Sequence, residues 1–194
     1  NCHAAAPKHC RDDDSAVRIT RQRLLYARPH DRLRRTHSQW HGPAAHPWSN
    51  LKSLPPITEL VPHQTPVLAL EELTSWQPGH AQGRLTIRES NPFVRNSRID
   101  TVMSLEYMAQ CVAACLGMEA YTKGGSVRVG MVVACRKMTI EQPQMALGET
   151  YTIKADCVRG TDSISHYDSE IRSRQGALIA SCTMTLVHGQ KPAD

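Results

Sequence analysis

The chain has no uninterrupted apolar run of the roughly 18 residues that a membrane-spanning helix needs, so no span is expected. Its amino terminus lacks the apolar core of a secretory leader, and with that absence a cytoplasmic protein is expected. A basic face is missing where a nucleic-acid partner would need one. Residues 1–50 hold nine Lys/Arg against four Asp/Glu, whereas residues 51–194 hold fourteen of each. The net charge of +5 therefore belongs to the amino-terminal stretch, and no nucleic-acid partner is expected for the rest. There is one phenylalanine, Phe93, and no methionine before Met103.

Residues 1–50 also lack a hydrophobic period of 2 or 3.6. They carry six of the ten histidines, eight arginines and scattered prolines, and they read as a disordered or non-native extension to a domain that starts near Leu54. Either translation starts at a non-Met codon near Leu51 or Leu54, or the sequence is a conceptual translation that runs upstream of the real start. Cys2, His3, His9 and Cys10 do not have the spacing of zinc ligand pairs, so no metal is expected. Of the seven cysteines, Cys111, Cys115, Cys135, Cys157 and Cys182 fall inside apolar patterns and read as small buried hydrophobes rather than disulfides.

What is present is patterned from Leu54 to His188, with 189–194 as a short tail. Ile57 to Leu60 makes at most a turn of helix. Val61 to Pro66 is a connector stiffened by two prolines. Val67 to Trp76 reads as a strand, and His80 to Arg88 as a second one, with Ala81, Gly83, Leu85 and Ile87 on its apolar face. Asn91 to Val102 is a loop. Val127 to Ile140 is a long strand in which Gly130 suggests a bulge. A turn over Pro143 to Gly148 precedes three strands, Glu149 to Arg159, Ile164 to Arg174 and Ala177 to Val187, whose short connections make them antiparallel neighbours.

Between the two sets of strands lies Met103 to Thr122, the longest clean helical period. Leu105, Met108, Ala109, Val112, Ala113, Leu116 and Ala120 form one apolar stripe. A narrow second stripe, Glu106, Gln110, Ala113 and Gly117, invites close approach by another segment, which would offset the roughly 1 kcal/mol that Gly117 costs in a helix interior. Gly124-Gly125 ends the helix. Strand, strand, helix and four strands predict an α+β domain in which one long antiparallel sheet wraps a single central helix. Its unpaired edge is a natural place for a second subunit.

Two stretches carry a family resemblance. Leu60-Val61-Pro62-His63-Gln64-Thr65-Pro66-Val67-Leu68-Ala69-Leu70-Glu71 resembles the "LPHxxPxLLxD" signature of β-hydroxyacyl-ACP dehydratases of the hot-dog superfamily, and Leu105-Glu106-Tyr107-Met108-Ala109-Gln110 resembles their "xEAxAQ" helix motif. With Asn91-Pro92, the order of motifs is most similar to the dehydratase-like proteins of aryl polyene clusters. The sequence departs from the family where the fatty-acid enzymes carry a catalytic histidine in "GHFPGxPVMPG". Here that place holds Arg95 to Val102, without a histidine.

The resemblance implies a hot-dog domain that dehydrates a 3-hydroxyacyl thioester on an acyl carrier protein to the trans-2-enoyl thioester, in fatty-acid or polyene-type biosynthesis, without cofactor or metal. A hot-dog thioesterase and a non-catalytic partner subunit are the rival readings. Dehydration needs a base for the Cα proton and an acid for the leaving hydroxyl. Glu106, in the first helical turn, is either that acid or an ordinary helix-start carboxylate. His63, between two prolines, is either the base or a structural histidine. Gln110, one turn after Glu106, is placed to orient it. Asn96, at the position of the missing histidine, and Met103, at the helix start, complete the expected substrate-binding set. His80, His166 and His188 read as solvated. Two assemblies follow: a homodimer in which His63 serves, or a heterodimer in which another hot-dog subunit supplies the histidine. The heterodimer explains the loss more simply.

Overall fold

The computed structural model describes residues 54–127, 129–161 and 163–189. The expected extension at 1–50, with its Cys2, His3, His9 and Cys10, lies outside these residues, as does all but Gly189 of the expected tail.

Strands β1 (Glu72–Gln77) and β2 (His80–Thr86) form a hairpin. A short strand β3 (Arg98–Asp100) runs through a 3₁₀ turn, Thr101–Met103, into helix α1 (Ser104–Thr122). Then come β4 (Gly130–Ile140), a three-residue β5 (Gln144–Ala146), β6 (Thr150–Gly160), β7 (Ile164–Ser173) and β8 (Leu178–His188). Six strands make one antiparallel sheet in the order β1-β2-β6-β7-β8-β4, and β3 pairs with β5 separately. The sheet curls around α1, giving the expected α+β hot-dog architecture. The alternation expected of β2 is present: Ala81, Gly83, Leu85 and Ile87 are buried. Ala81, Leu85 and Ile87 belong to one core cluster with Ile153, Tyr167, Ile171 and Met184.

The helix is buried over a wider arc than its apolar stripe indicates. Met108 and Val112 are fully covered, but so are Cys111, Ala114, Cys115 and Met118, while Leu105, Ala109, Ala113, Leu116 and Ala120 are only half-buried. A sheet that wraps a helix covers more than one stripe, so small residues and thiols on the flanks go inside with the large ones. By length and composition, Thr101–Thr122 could cross a bilayer. Here it is the core helix of the domain, with the fully buried amide of Gln110 hydrogen-bonded inside it.

Gly117 has the close neighbour its cost implies: a Cβ there would overlap the carbonyl group of Leu60. The amino-terminal arm, with its 3₁₀ turn Ile57–Glu59, crosses the helix at that point.

Several expectations need correction. The first strand begins at Glu72 rather than Val67. The backbone of residues 67–70 does not enter a ladder, because Val67 O, Ala69 N and Leu70 N all bond to the side chain of Gln110. The loop before the helix and the turn after β4 each contribute a strand, β3 and β5. Gly130 opens β4, and the irregularities lie between Val132 and Ala134 and between Cys135 and Lys137. Cys111, Cys115 and Cys182 are buried, but Cys135 is exposed and Cys157 half-buried. Burial pushes the Cys115 and Cys182 thiols up to about 12, and raises Cys111 still further.

Candidate active site

No side chain caps α1. Asp100 enters in extended conformation, the 3₁₀ turn winds directly into the helix, and Glu106 falls in the first α-turn. The arm from Leu60 to Leu70 passes beside this end of the helix. Leu60 is pinned over Gly117, and residues 67–70 are pinned by Gln110. His63 lies between the two attachments, and its Nε2 stands 3.6 Å from Glu106 Oε1. The two side chains are about one-quarter and one-third exposed, at 27% and 35%.

Gln110 orders this arrangement. Its Oε1 accepts from Ala69 N at 3.0 Å and Leu70 N at 3.1 Å, which fixes the amide orientation. Its Nε2 then donates to Val67 O at 3.0 Å and to Glu106 Oε1 at 2.9 Å. Both amide hydrogens and both acceptor positions are used. Glu106 Oε1 is thereby held as an acceptor, so a proton on this carboxyl group belongs on Oε2. His63 Nδ1 is buried and has no hydrogen-bond partner among the described residues.

The expected site residues separate into three places. His63, Glu106 and Gln110 come together. Met103 sits at the helix N-cap and packs against the core. Asn96 is at the tip of an exposed turn, with its backbone in the left-handed region at φ 50°. His80 is exposed and contacts Asp156 at 2.9 Å. The other two histidines are not simply solvated. His166 is half-buried, with Nδ1 2.9 Å from Thr185 Oγ1. His188 is buried, with Nε2 2.7 Å from Ser165 Oγ. Its position at a strand terminus conceals this, because β8 continues far enough to bury its last residue.

Tyr107 and Asn91 form a link that the sequence reading did not anticipate. Asn91 Nδ2 donates to the Tyr107 hydroxyl at 2.9 Å, and Asn91 Oδ1 accepts from Phe93 N at 3.0 Å. This ties the loop before β3 to the helical turn that carries Glu106. Burial raises the Tyr107 pKa, the bond from Asn91 opposes the rise, and the negative charge of Glu106 adds to it. Tyr107 is therefore a neutral strut. The Asn-Pro pair and the tyrosine were visible in the motifs, but their mutual bond needs the fold. Among the described residues, no cluster of three or more His, Cys, Asp or Glu side chains is gathered to hold a metal.

A carboxyl group and an imidazole face each other at the start of a central helix wrapped by one antiparallel sheet, the hot-dog fold. The chain belongs to the ApeP-like family of dehydratases, whose model, described as ApeP dehydratase, matches residues 55–194. It is accordingly a 3-hydroxyacyl dehydratase, a hydro-lyase. Among curated proteins, it is similar to the 3-hydroxyacyl-[acyl-carrier-protein] dehydratase FabZ of Natranaerobius thermophilus: 29% identical over 128 residues, covering 62% of this chain and 87% of that protein. Among solved structures, it is similar to the dehydratase heterocomplex ApeI:P from Xenorhabdus doucetiae, with TM-score 0.68, 17% identity, and coverage of 72% of this chain and 94% of that one. A hypothetical thioesterase from Streptococcus pneumoniae, solved with coenzyme A, shares the fold at TM-score 0.50 and 14% identity, over 63% of this chain and 88% of that one.

Proposed function

We propose that His63 and Glu106 together eliminate water from a 3-hydroxyacyl thioester carried on an acyl carrier protein, giving the trans-2-enoyl thioester for a fatty-acid or polyene-type chain. The observation that carries this reading is the 3.6 Å separation of His63 Nε2 and Glu106 Oε1, with Gln110 donating to the same oxygen. Neutral His63 takes the Cα proton. Protonated Glu106 gives its Oε2 proton to the leaving hydroxyl, which departs as water. The pair ends as imidazolium and carboxylate, opposite charges side by side, and one proton passing back from His63 to Glu106 restores the starting state.

A second hot-dog subunit completes the assembly in this reading. Strand β4 is eleven residues long and, among the described residues, pairs only with β8, and Met131, Val132 and Val133 on it are exposed. An unpaired edge of that length is a template for another strand. The single-chain pairing of His63 with Glu106 supports a base supplied by this chain as well as one supplied by the partner. An assembly of the ApeI:P kind and a homodimer are then alternatives for the same edge.

The test is to supply the full chain, alone and with a candidate hot-dog partner, with a 3-hydroxyacyl carrier thioester. Enoyl product supports the proposal; free thiol makes the protein a thioesterase; neither product, in either setting, makes it a non-catalytic subunit. Glu106→Gln keeps the shape and removes the transferable proton. General acid–base groups contribute about 10²–10⁴-fold, so turnover should drop by that factor with melting temperature little changed. His63→Ala should fall in the same range, and full activity in that variant would hand the base to a partner.

A further inference from the structure

The loop that stands where the family histidine is missing builds a second feature. Arg95 and Arg98 face each other across a two-residue turn, with Arg95 N bonding to Arg98 O at 2.8 Å and Arg98 N to Arg95 O at 3.0 Å. The two central residues, Asn96 and Ser97, have φ of 50° and 60°. Positive φ at both positions is the signature of a type I′ turn, which glycine usually serves, and serine adopts it at a cost. Residues that exchange both backbone bonds stand directly opposite, and like charges there repel. The chain thus holds two guanidinium groups together in an unfavourable backbone conformation. Strain of this kind persists where a function uses it.

The donor inventory of these arginines is distinctive. Arg88 directs Nε and Nη2 at Glu71, and Arg172 directs the same two nitrogens at the two oxygens of Glu170. Those forks are occupied internally. Among the described residues, Arg95 uses only Nη1, on the carbonyl oxygens of Pro92 and Val94, and Arg98 uses only Nη1, on Gln144 Oε1 at 3.3 Å. Neither forms a salt bridge among the described residues. Both line a cavity of about 340 Å³ with Phe93, Asn96, Asp100 and Gln144. Asp100 contributes one negative charge, so the two arginines leave the lining net positive. The unused Nε–Nη2 edge is the fork that receives carboxylate or phosphate oxygens in pairs. Asp100 leads through one 3₁₀ turn into α1, so the cavity and Glu106 lie on the order of 10 Å apart along the chain axis.

We propose that the Arg95–Arg98 turn is an anion-binding site for the carrier side of the substrate: either the phosphate of the thioester-bearing arm or carboxylates on an acidic carrier surface. This rests on the dehydratase reading for its choice of ligand, and it is tested by binding rather than by turnover. Full-length protein, with its partner subunit if it requires one, is titrated with three probes: a 3-hydroxyacyl carrier protein, a 3-hydroxyacyl phosphopantetheine, and the matching 3-hydroxyacyl pantetheine without phosphate. Arg98 is the residue to change, because Arg95 also braces its own loop. Arg98→Glu should weaken the carrier probe at least about tenfold, the loss expected for charge-assisted hydrogen bonds. Arg98→Gln should lie in between, and Arg98→Lys should recover part of the affinity.

A parallel loss on the phosphopantetheine probe with none on pantetheine assigns the phosphate. A loss confined to the carrier protein assigns its carboxylates. Equal weakening of all three probes, unchanged binding of all three, or no binding of the anionic probes by the unaltered protein overturns the site. Binding that depends on Arg98 without any dehydration would leave the anion site standing and remove the dehydratase reading.

Discussion

The two flanks of this sheet are finished to different degrees. On the β1–β2 side, backbone and side chains interlock at contact distance. Gly117 lies against Leu60, a Cβ on Gly83 would stand 2.7 Å from Leu70 Cδ1, and Gln110 saturates the arm. At the other end, β4 exposes most of its residues, and its outer edge, unpaired among the described residues, is eleven residues long against six for the equally unpaired edge of β1. A close-packed flank specifies geometry and tolerates little change. An open strand specifies what joins it. The site lies on the finished flank, so its geometry is set within the chain, whereas the open edge is the surface proposed above for a second subunit.

The largest expected effect lies at Gly117. Gly117→Ala places a methyl group on the Leu60 carbonyl, and the arm must move. Overpacking typically costs about 1–3 kcal/mol and occasionally more, and an overlap with backbone puts this one at the upper end, which urea denaturation would read directly. Because the arm also carries His63, turnover should fall below what the lost stability alone explains. A near-neutral result would mean that the two segments are looser than their spacing implies.

Gln110→Met comes next. It preserves most of the volume and strands the Ala69 and Leu70 N–H groups. Unsatisfied buried donors cost about 1–3 kcal/mol each, so a net loss of roughly 2–4 kcal/mol is expected in the same denaturation assay. A stability change under about 0.5 kcal/mol, the range of ordinary surface substitutions, would mean that the arm does not depend on this amide.

The smallest effect on stability, and the most informative about the open edge, belongs to Cys135. Thiol labelling with peptide mapping should modify exposed Cys135 in the folded protein and spare Cys111 and Cys115, whose buried thiols are held far from the reactive thiolate form. Cys135→Ser should change stability by less than about 0.5 kcal/mol. Adding a subunit that pairs along β4 should protect Cys135. Labelling unaffected by a bound partner would place the interface elsewhere.

Much of this was legible in the sequence because it depends on local pattern. The alternation of Ala81, Gly83, Leu85 and Ile87 marked β2, and the three- and four-residue steps marked α1. Gly117 announced its neighbour by its own cost, and Glu106 with Gln110 one turn later announced a bonded pair. What stayed hidden depends on partners far apart in the chain. No local pattern shows that Gln110 takes the backbone bonds of residues 67–70, so the strand expected there began five residues early. Nor does one show that Asn91 reaches Tyr107, or that the residues in the place of the missing histidine form a turn with two opposed arginines. His188 was misread because exposure at a chain end is a statistical expectation, whereas burial is decided by where β8 stops.

The seating of His63 has a consequence for its chemistry. The ring is held by no bond at Nδ1. It is located instead by its backbone, three residues after the Leu60 anchor and four before Val67, as a plank is located by its two trestles. A histidine fixed through one nitrogen is committed to a tautomer. This one is located without being committed, so the mobile hydrogen of the neutral ring can reside on either nitrogen. The residue that settles the choice is the one the ring meets at Nε2. Gln110 keeps Glu106 Oε1 an acceptor whether or not Oε2 carries a proton, so this oxygen draws the ring hydrogen toward Nε2, and an amide one helical turn away thereby biases the imidazole.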